Sequence, residues 1–291
     1  MRIDVLVDVK TIAGESPVWD VQEQRLYWID VFGCRLFRCT GDGREVRAWD
    51  LPEPVGSLAL RRGGGAVVSL ASGFHFLDLD TGDTQLIVDP EPGQPGNRLN
   101  DGKVDARGRF IVGSTDAHGA QASGALYALD PDLSVRQLDA GFLMSNGPCW
   151  SPDGSTFYFS DTFSGEIWAY DYDLETGTVA NKRTFTRAGI APGMATDGST
   201  VDAEGFLWNA QNFSGQLCRY APDGRLDRVV EMPVKKVTSV MFGGPDLDVL
   251  YVTSMAKPPL PVLPGDNVLR GSVFAVHGLG VQGRPEPRFG G

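Results

Sequence analysis

The sequence predicts an all-β chain folded as a six-bladed β-propeller, closed by its amino-terminal strand joining the last blade. Three observations lead there. A unit of strand, tight turn, strand, loop and strand can be laid over the chain six times. Gly65, Gly108, Gly154 and Gly205 each end the turn before a hairpin, and eight residues ahead stand Ser57, Asn100, Asn146 and Asp197. With Glu15 at the matching place before Arg25–Asp30, these anchors lie 42 to 51 residues apart, the length of a propeller blade. Lastly, the sixth unit lacks an outer strand and the start of the chain offers one. A large β-sandwich would not require a fixed unit length.

The first central hairpin joins 25–30 to 34–39, and the next two join 66–70 to 73–78 and 109–113 to 124–129. Three more join 156–160 to 166–170, 206–211 to 216–220, and 249–253 to 272–276. All are rich in aromatic and β-branched residues and bounded by Gly, Pro, Asp or Ser. Turn signals such as Gly41-Asp-Gly43, Pro152-Asp-Gly154 and Pro222-Asp-Gly224 punctuate them. Outer strands are expected at 46–51, 85–89, 135–138, 182–186 and 226–232. The Gly- and Pro-rich stretch 278–291 offers none for the sixth unit, whereas 3–9 does, with Ile3, Val5 and Val7 expected on one face. No long stretch has a 3.6-residue apolar period, so helix content should be low.

A single domain is expected over residues 1–291, because no linker or charge run divides the chain. The segments Pro258-Pro-Leu-Pro261 and Pro264-Gly-Asp266 read as a surface loop inside the sixth hairpin. A hydrophobic content of 42% supports a substantial core. The net charge of −11, with no basic cluster, argues against nucleic acid and anionic membrane surfaces as partners. The start of the chain lacks a signal-peptide core and no run is long enough to span a bilayer. Cys34, Cys39, Cys149 and Cys218 show no Cys-x-x-Cys spacing, and Cys149 and Cys218 read as reduced core residues. A cytoplasmic protein, a monomer or weak homo-oligomer, is the simplest expectation.

With three histidines and no Gly-x-Ser-x-Gly elbow, a serine hydrolase of that type has little support. His75 and His277 fall in or at the end of strands and read as structural. His118 lies in the polar loop 114–123, on the side of the anchors. Singly, Asn146-Gly147 and Asp197-Gly198 would be turn dipeptides and Glu15 a solvated carboxylate. Equivalence changes that reading, since corresponding blade positions face the central channel. Glu15, Asn146 and Asp197 would then bring two carboxylates and an amide oxygen to one mouth. Unpaired, the carboxylates repel, and a bound cation removes that cost. The donor types favour Ca²⁺, Mg²⁺ or Mn²⁺, with zinc and iron left open. Arg98 and Asn100 alternate along a strand, so both would face the channel and could hold substrate oxygens.

Four segments carry a resemblance: Gly14-Glu-Ser-Pro-Val-Trp19, Arg98-Leu-Asn-Asp-Gly-Lys-Val-Asp105, Ser145-Asn-Gly-Pro-Cys-Trp-Ser-Pro-Asp-Gly154 and the run from Asp197 to Trp208. Together, and in this order, they closely resemble the senescence marker protein/regucalcin/gluconolactonase family, above all its bacterial sugar-acid lactonases. The resemblance implies a six-bladed propeller that hydrolyses sugar lactones with one divalent metal at the channel mouth. It implies Glu15, Asn146 and Asp197 as metal ligands, Arg98 and Asn100 as substrate contacts, and Asp197 also as general base. Animal regucalcins carry adjacent glutamates in the loop matching 114–123. Here Asp116 and His118 occupy that region and are the candidate substrate contacts. The residues 191–196 also depart from the family's usual Pro ahead of the Asp.

The expected function is a metal-dependent lactonase acting on an aldonolactone or related sugar-acid lactone in carbohydrate catabolism. Water would be activated by Asp197 or attack as metal-bound hydroxide. A non-catalytic calcium- or partner-binding propeller is the alternative, although ion binding alone does not need Arg98 and Asn100. The residue arrangements of strictosidine-synthase-like and paraoxonase-like propellers are not evident.

Overall fold

The computed structural model describes residues 1–188, 195–256, 263 and 266–291. Strand β1 (Arg2–Val7) comes first, and the first blade follows as β2 (Gly14–Asp20), β3 (Arg25–Asp30), β4 (Arg35–Thr40) and β5 (Arg47–Asp50). The second is β6 (Val55–Leu60), β7 (Ala66–Leu70), β8 (Gly73–Leu77) and β9 (Thr84–Val88). The third is β10 (Asn97–Val104), β11 (Phe110–Asp116), β12 (Gly124–Leu129) and β13 (Val135–Phe142). The fourth is β14 (Ser145–Trp150), β15 (Thr156–Asp161), β16 (Glu166–Asp173) and β17 (Thr178–Arg187). The fifth is β18 (Ala195–Val201), β19 (Leu207–Asn212), β20 (Gln216–Tyr220) and β21 (Leu226–Glu231). The sixth takes β22 (Val237–Gly243), β23 (Val249–Ser254), β24 (Val273–His277) and, on its outer edge, β1. Each is a four-stranded antiparallel sheet, and there is no helix among the described residues. The expected loop segments 258–261 and 264–265 lie outside the described residues, as do 191–194.

The six apolar clusters of the core correspond to the six contacts between neighbouring blades. Trp19, Trp28, Met241 and Tyr251 seal the sixth against the first. Leu58 and Val68 join Tyr27 and Ile29 between the first and second. Trp208 and Phe242 do the same between the fifth and sixth. Both faces of each sheet are therefore covered, which explains the near-continuous burial of inner strands such as β6 and β18. The exposed positions concentrate instead on the outer strands β5, β9, β13, β17 and β21.

Strand β1 pairs antiparallel with β24, Arg2 opposite His277 and Val5 opposite Phe274. The register slips between Val5 and Val7, and this corrects the simple alternation expected of the strand. Ile3 packs on the core between blades five and six, while Leu6 and Val7 pack between blades six and one. The bulge turns Val5 outward, where it is exposed.

The Gly- and Pro-rich tail is not slack. Ala203 N–H donates to Gln282 O at 2.8 Å and Gly283 N–H to Leu247 O at 2.7 Å. Farther along, Arg288 pairs with Asp20 at 2.5 Å, and Phe289 N–H donates to Leu60 O at 2.8 Å. The tail thus straps the ends of five blades, at the end of the channel opposite the anchors.

Candidate active site

Every inner strand breaks register once near its anchor level. The slips fall between Glu15 and Val18, Val55 and Ser57, Leu99 and Gly102 in the first three blades. They fall between Asn146 and Cys149, Thr196 and Ser199, Val237 and Val240 in the others. A bulge re-aims the side chains beside it, and here it does so six times around one channel. Asn146-Gly147 and Asp197-Gly198 therefore sit inside strands, not in turns. Two of the bulges use left-handed backbone directly after the proposed ligand, Ser16 at φ 48° and Gly147 at φ 65°. A Cβ on Gly147 would lie 2.6 Å from Ser199 Oγ and 2.9 Å from Asp197 O, so only glycine lets these inner strands close up.

Glu15 and Asp197 arrive from blades one and five, and each feels the other. Burial, then the charge of Asp197 and that of Asp101, holds the Glu15 carboxyl well above the usual carboxylate range. Burial likewise raises Asp197, which is only 5% exposed; the amide of Asn212 opposes the rise and the charge of Asp101 adds to it. The Asp197 charge raises Glu15 and the Glu15 carboxyl lowers Asp197, so the two compete for a proton when no cation is near. Asn212 Nδ2 donates to Asp197 Oδ2 at 2.9 Å, and Asn209 Nδ2 donates to the Asp197 carbonyl at 2.8 Å.

Asn146 comes from blade four and is buried. Its Nδ2 donates to Thr162 Oγ1 at 2.6 Å and its Oδ1 accepts from Asn100 Nδ2 at 3.1 Å. Asn100 also donates to Ser145 O at 2.7 Å and accepts from Arg98 Nη1 at 2.7 Å. Arg98 thus reaches the same cluster, and burial lowers its pKa to about 10 against the pull of Glu15. It stays charged at neutral pH. The structure brings Glu15, Arg98, Asn100, Asn146 and Asp197 together.

Asp116 and His118 are placed differently. Asp116 Oδ1 accepts from His118 N–H at 3.2 Å, and Oδ2 accepts from Ala120 N–H at 2.9 Å and Gln121 N–H at 3.0 Å. These backbone donors, His118 first, hold its carboxyl below its ordinary pKa. Both oxygens are committed to shaping the loop. The His118 side chain is exposed on that loop.

Sequence reasoning missed Asp101, Thr162 and Asn212. Asp101 accepts from Gly102 N–H and Gly147 N–H, both at 2.9 Å, and so ties the strand of Asn100 to that of Asn146. The other two follow a signal in the repeats: β3, β11, β15 and β19 end on Asp30, Asp116, Asp161 and Asn212. Asp30 receives Ile12 and Ala13 N–H just ahead of Glu15. Asp161 receives Leu143 and Met144 N–H just ahead of Asn146.

Two carboxylates and an amide oxygen suit a hard divalent cation. Among the described residues no three His, Cys, Asp or Glu side chains form a ready metal cage, because the third donor here is a neutral amide. The close like-charged pair of Glu15 and Asp197 is the observation that favours a cation, since a positive ion turns its repulsion into attraction. On the register pair next to Asp197, Thr196 Oγ1 and Gln211 Oε1 are buried without partners.

Residues 13–256 match the family model described as the SMP-30/Gluconolactonase/LRE-like region. The chain is 34% identical to regucalcin of Xenopus laevis, over 100% of this chain and 99% of that protein. It is 35% identical to the 6-deoxy-6-sulfogluconolactonase of Pseudomonas putida, over 97% of this chain and 96% of that one. A solved structure of a calcium-binding protein, regucalcin of Agrobacterium tumefaciens, superposes with a TM-score of 0.91 at 30% identity, covering 98% of this chain and 96% of that one.

Proposed function

The chain belongs to the SMP-30/gluconolactonase/LRE-like family, and from that premise we propose that it is a metal-dependent hydrolase opening a sugar lactone. The substrate class is an aldonolactone or related sugar-acid lactone, consumed in cytoplasmic carbohydrate catabolism. The observation that carries the reading is the pairing of half-buried Glu15 with buried Asp197 beside Asn146, with Arg98 and Asn100 in the same cluster. A site for ion binding alone has no use for the last two.

Glu15, Asn146 and Asp197 would hold the divalent ion. When bound, that ion would supply Lewis-acid polarisation of the lactone carbonyl and lower the pKa of water. The Arg98 fork orients the substrate's hydroxyl or carboxylate oxygens, and Asn100, whose N–H groups go to Ser145 O and Asn146 Oδ1, steadies Arg98 and can accept from a substrate hydroxyl. Asn212 Nδ2 donates to Asp197 Oδ2, so the base role falls to Oδ1. In the proposed base role Oδ1 takes a proton from the attacking water. The acyl C–O bond of the ring then breaks, and the proton passes to the departing ring oxygen, which becomes a hydroxyl. Sitting between a cation and the Asn212 amide would make Asp197 a weaker base, so its part as base would shrink as a bound cation lowered the pKa of water.

The test is a panel of aldono-1,4- and 1,5-lactones followed with a pH indicator, with Ca²⁺, Mg²⁺, Mn²⁺ or Zn²⁺ and with chelator. Chelator-sensitive hydrolysis that is lost in Asp197→Asn is expected. Absence of hydrolysis with every metal would overturn the reading and leave a calcium- or partner-binding propeller.

A further inference from the structure

Among the described residues only two aromatic side chains are exposed, Phe32 at 38% and Phe163 at 54%. Neither belongs to any of the six apolar clusters between blades. They occupy the same place in two different units, each two residues past the end of a second strand: Asp30-Val-Phe-Gly33 and Asp161-Thr-Phe-Ser-Gly165. Those units are blades one and four, which stand opposite each other in a ring of six.

Both turns are pinned to the candidate site. The Asp30 carboxylate holds the backbone ahead of Glu15, and that of Asp161 holds the backbone ahead of Asn146. Thr162, next to Phe163, takes the Asn146 amide at 2.6 Å. The Arg98 guanidinium sits 5.8 Å from the centre of the Phe32 ring. The Phe163 ring reaches across to the His118 loop, 3.7 Å from where a Cβ on Gly119 would lie. The apolar area that Phe32 and Phe163 leave open adds nothing to folding, since burial is what stabilises a phenyl ring. Held on braced turns on either side of a polar floor, they suit a ligand with polar edges and apolar faces.

We propose that Phe32 and Phe163 are specificity-determining walls of an aromatic gate at the mouth. The gate selects lactones whose ring presents C–H faces to a phenyl group while its oxygens go to Arg98 and Asn100: a pyranose- or furanose-type sugar lactone. The inference rests on the lactonase reading and deepens it, because it places recognition of the ring's apolar faces on residues outside the metal and polar sets. The rings act in binding, so they set KM and not the chemical step.

The test measures kcat and KM for D-glucono-1,5-lactone in the metal-loaded full chain, in wild type and in the Ala, Leu and Trp variants of Phe32 and Phe163. Each Ala or Leu variant is expected to raise KM by about two- to tenfold, the scale of one aromatic contact, with kcat within about twofold of wild type. Phe→Trp restores KM, because the ring face returns. Unchanged KM in both Ala variants, or Leu variants that bind as wild type does, would overturn the gate. If wild type opens no lactone, the lactonase reading falls and a binding measurement decides the gate separately. Saturation-transfer NMR with the non-hydrolysable ring mimic 1,5-anhydro-D-glucitol, irradiating aromatic protons, should label its C–H protons in wild type and not in F32A/F163A. No transfer in wild type, or equal transfer in the double variant, would overturn it.

Discussion

Replacing Glu15 by Gln should make the metal-free protein more stable and the metal-binding protein worse. Glu15 is half-buried and Asp197 buried, burial raises both carboxyls and the Asp197 charge raises Glu15 further, so ionising both in the folded state is unfavourable. Two unit charges about 4 Å apart at an effective dielectric of about 20 repel by about 4 kcal/mol, an upper bound because the pair can retain a proton. Gln keeps the shape, removes one charge and still donates to Asp197, so a gain of about 1–3 kcal/mol is expected near neutral pH. For a chain of 291 residues that raises the melting temperature by roughly 2–5 °C. The sign with pH follows from the raised folded pKa: the wild-type penalty is absent below the ordinary carboxylate pKa and grows as pH rises through the folded value. The difference between E15Q and wild type should therefore vanish near pH 4 and widen toward neutrality. With saturating divalent ion the order reverses, because only wild type gains linkage stabilisation. The assay is calorimetry across this pH range, with chelator and with Ca²⁺ or Mn²⁺. A chelated E15Q that melts below wild type at pH 7, or that gains as much from metal, would refute the reasoning.

Arg98→Ala should keep bound metal, by elemental analysis, yet lose roughly 2–4 kcal/mol in kcat/KM, as expected for removing one partner of a buried charged hydrogen bond; metal loss in this variant would show that Arg98 steadies the ligand cluster and does not grip the substrate. Deleting 1–7 removes the outer strand of the last blade and bares the edge of β24. That protein should aggregate or melt lower in thermal scans, whereas a normal melting temperature would show that the ring closes without β1.

The fold was legible because the repeat is written in residues with few alternatives. Glycines at turn ends, β-branched and aromatic hairpins and a missing last strand define six units without any knowledge of contacts. The strands at 25–30 and 66–70 are found where the pattern places them. Equally legible was the meeting of Glu15, Asn100, Asn146 and Asp197, since equal positions in equal units must face one channel. What stayed hidden depends on register slips. Nothing in Val5-Leu-Val7 says that the strand bulges there, and nothing in Asn146-Gly147 says that the dipeptide lies inside a strand. Asp116 shows the limit of reading by position. It closes its strand as Asp30 and Asp161 do, yet its oxygens turn back onto its own loop. Only the path of that longer loop, which brings Ala120 and Gln121 N–H within reach, decides this. The tail at 281–291 was hidden for another reason. A strap held by scattered backbone bonds has no periodicity to read.

The strap and the site explain each other in energetic terms. A propeller channel that gathers Glu15, Asp197 and the buried Asp101 at one end is under electrostatic strain. Strain of this kind persists only where the surroundings over-determine the backbone. Here they do so by means that owe nothing to the carboxylates. Six apolar seams fix the blades, β1 closes the ring on its outer edge, and the tail ties five blades at the far end. The neutral members of the cluster complete the restraint: Asn212 on Asp197, Thr162 and Asn100 on Asn146, and backbone amides on Asp101. Relaxation by swinging a carboxylate out to water would break those bonds. The direct escapes left are a proton or a cation, and a rigid pocket that must take one or the other is one whose affinity for a divalent ion rises with pH.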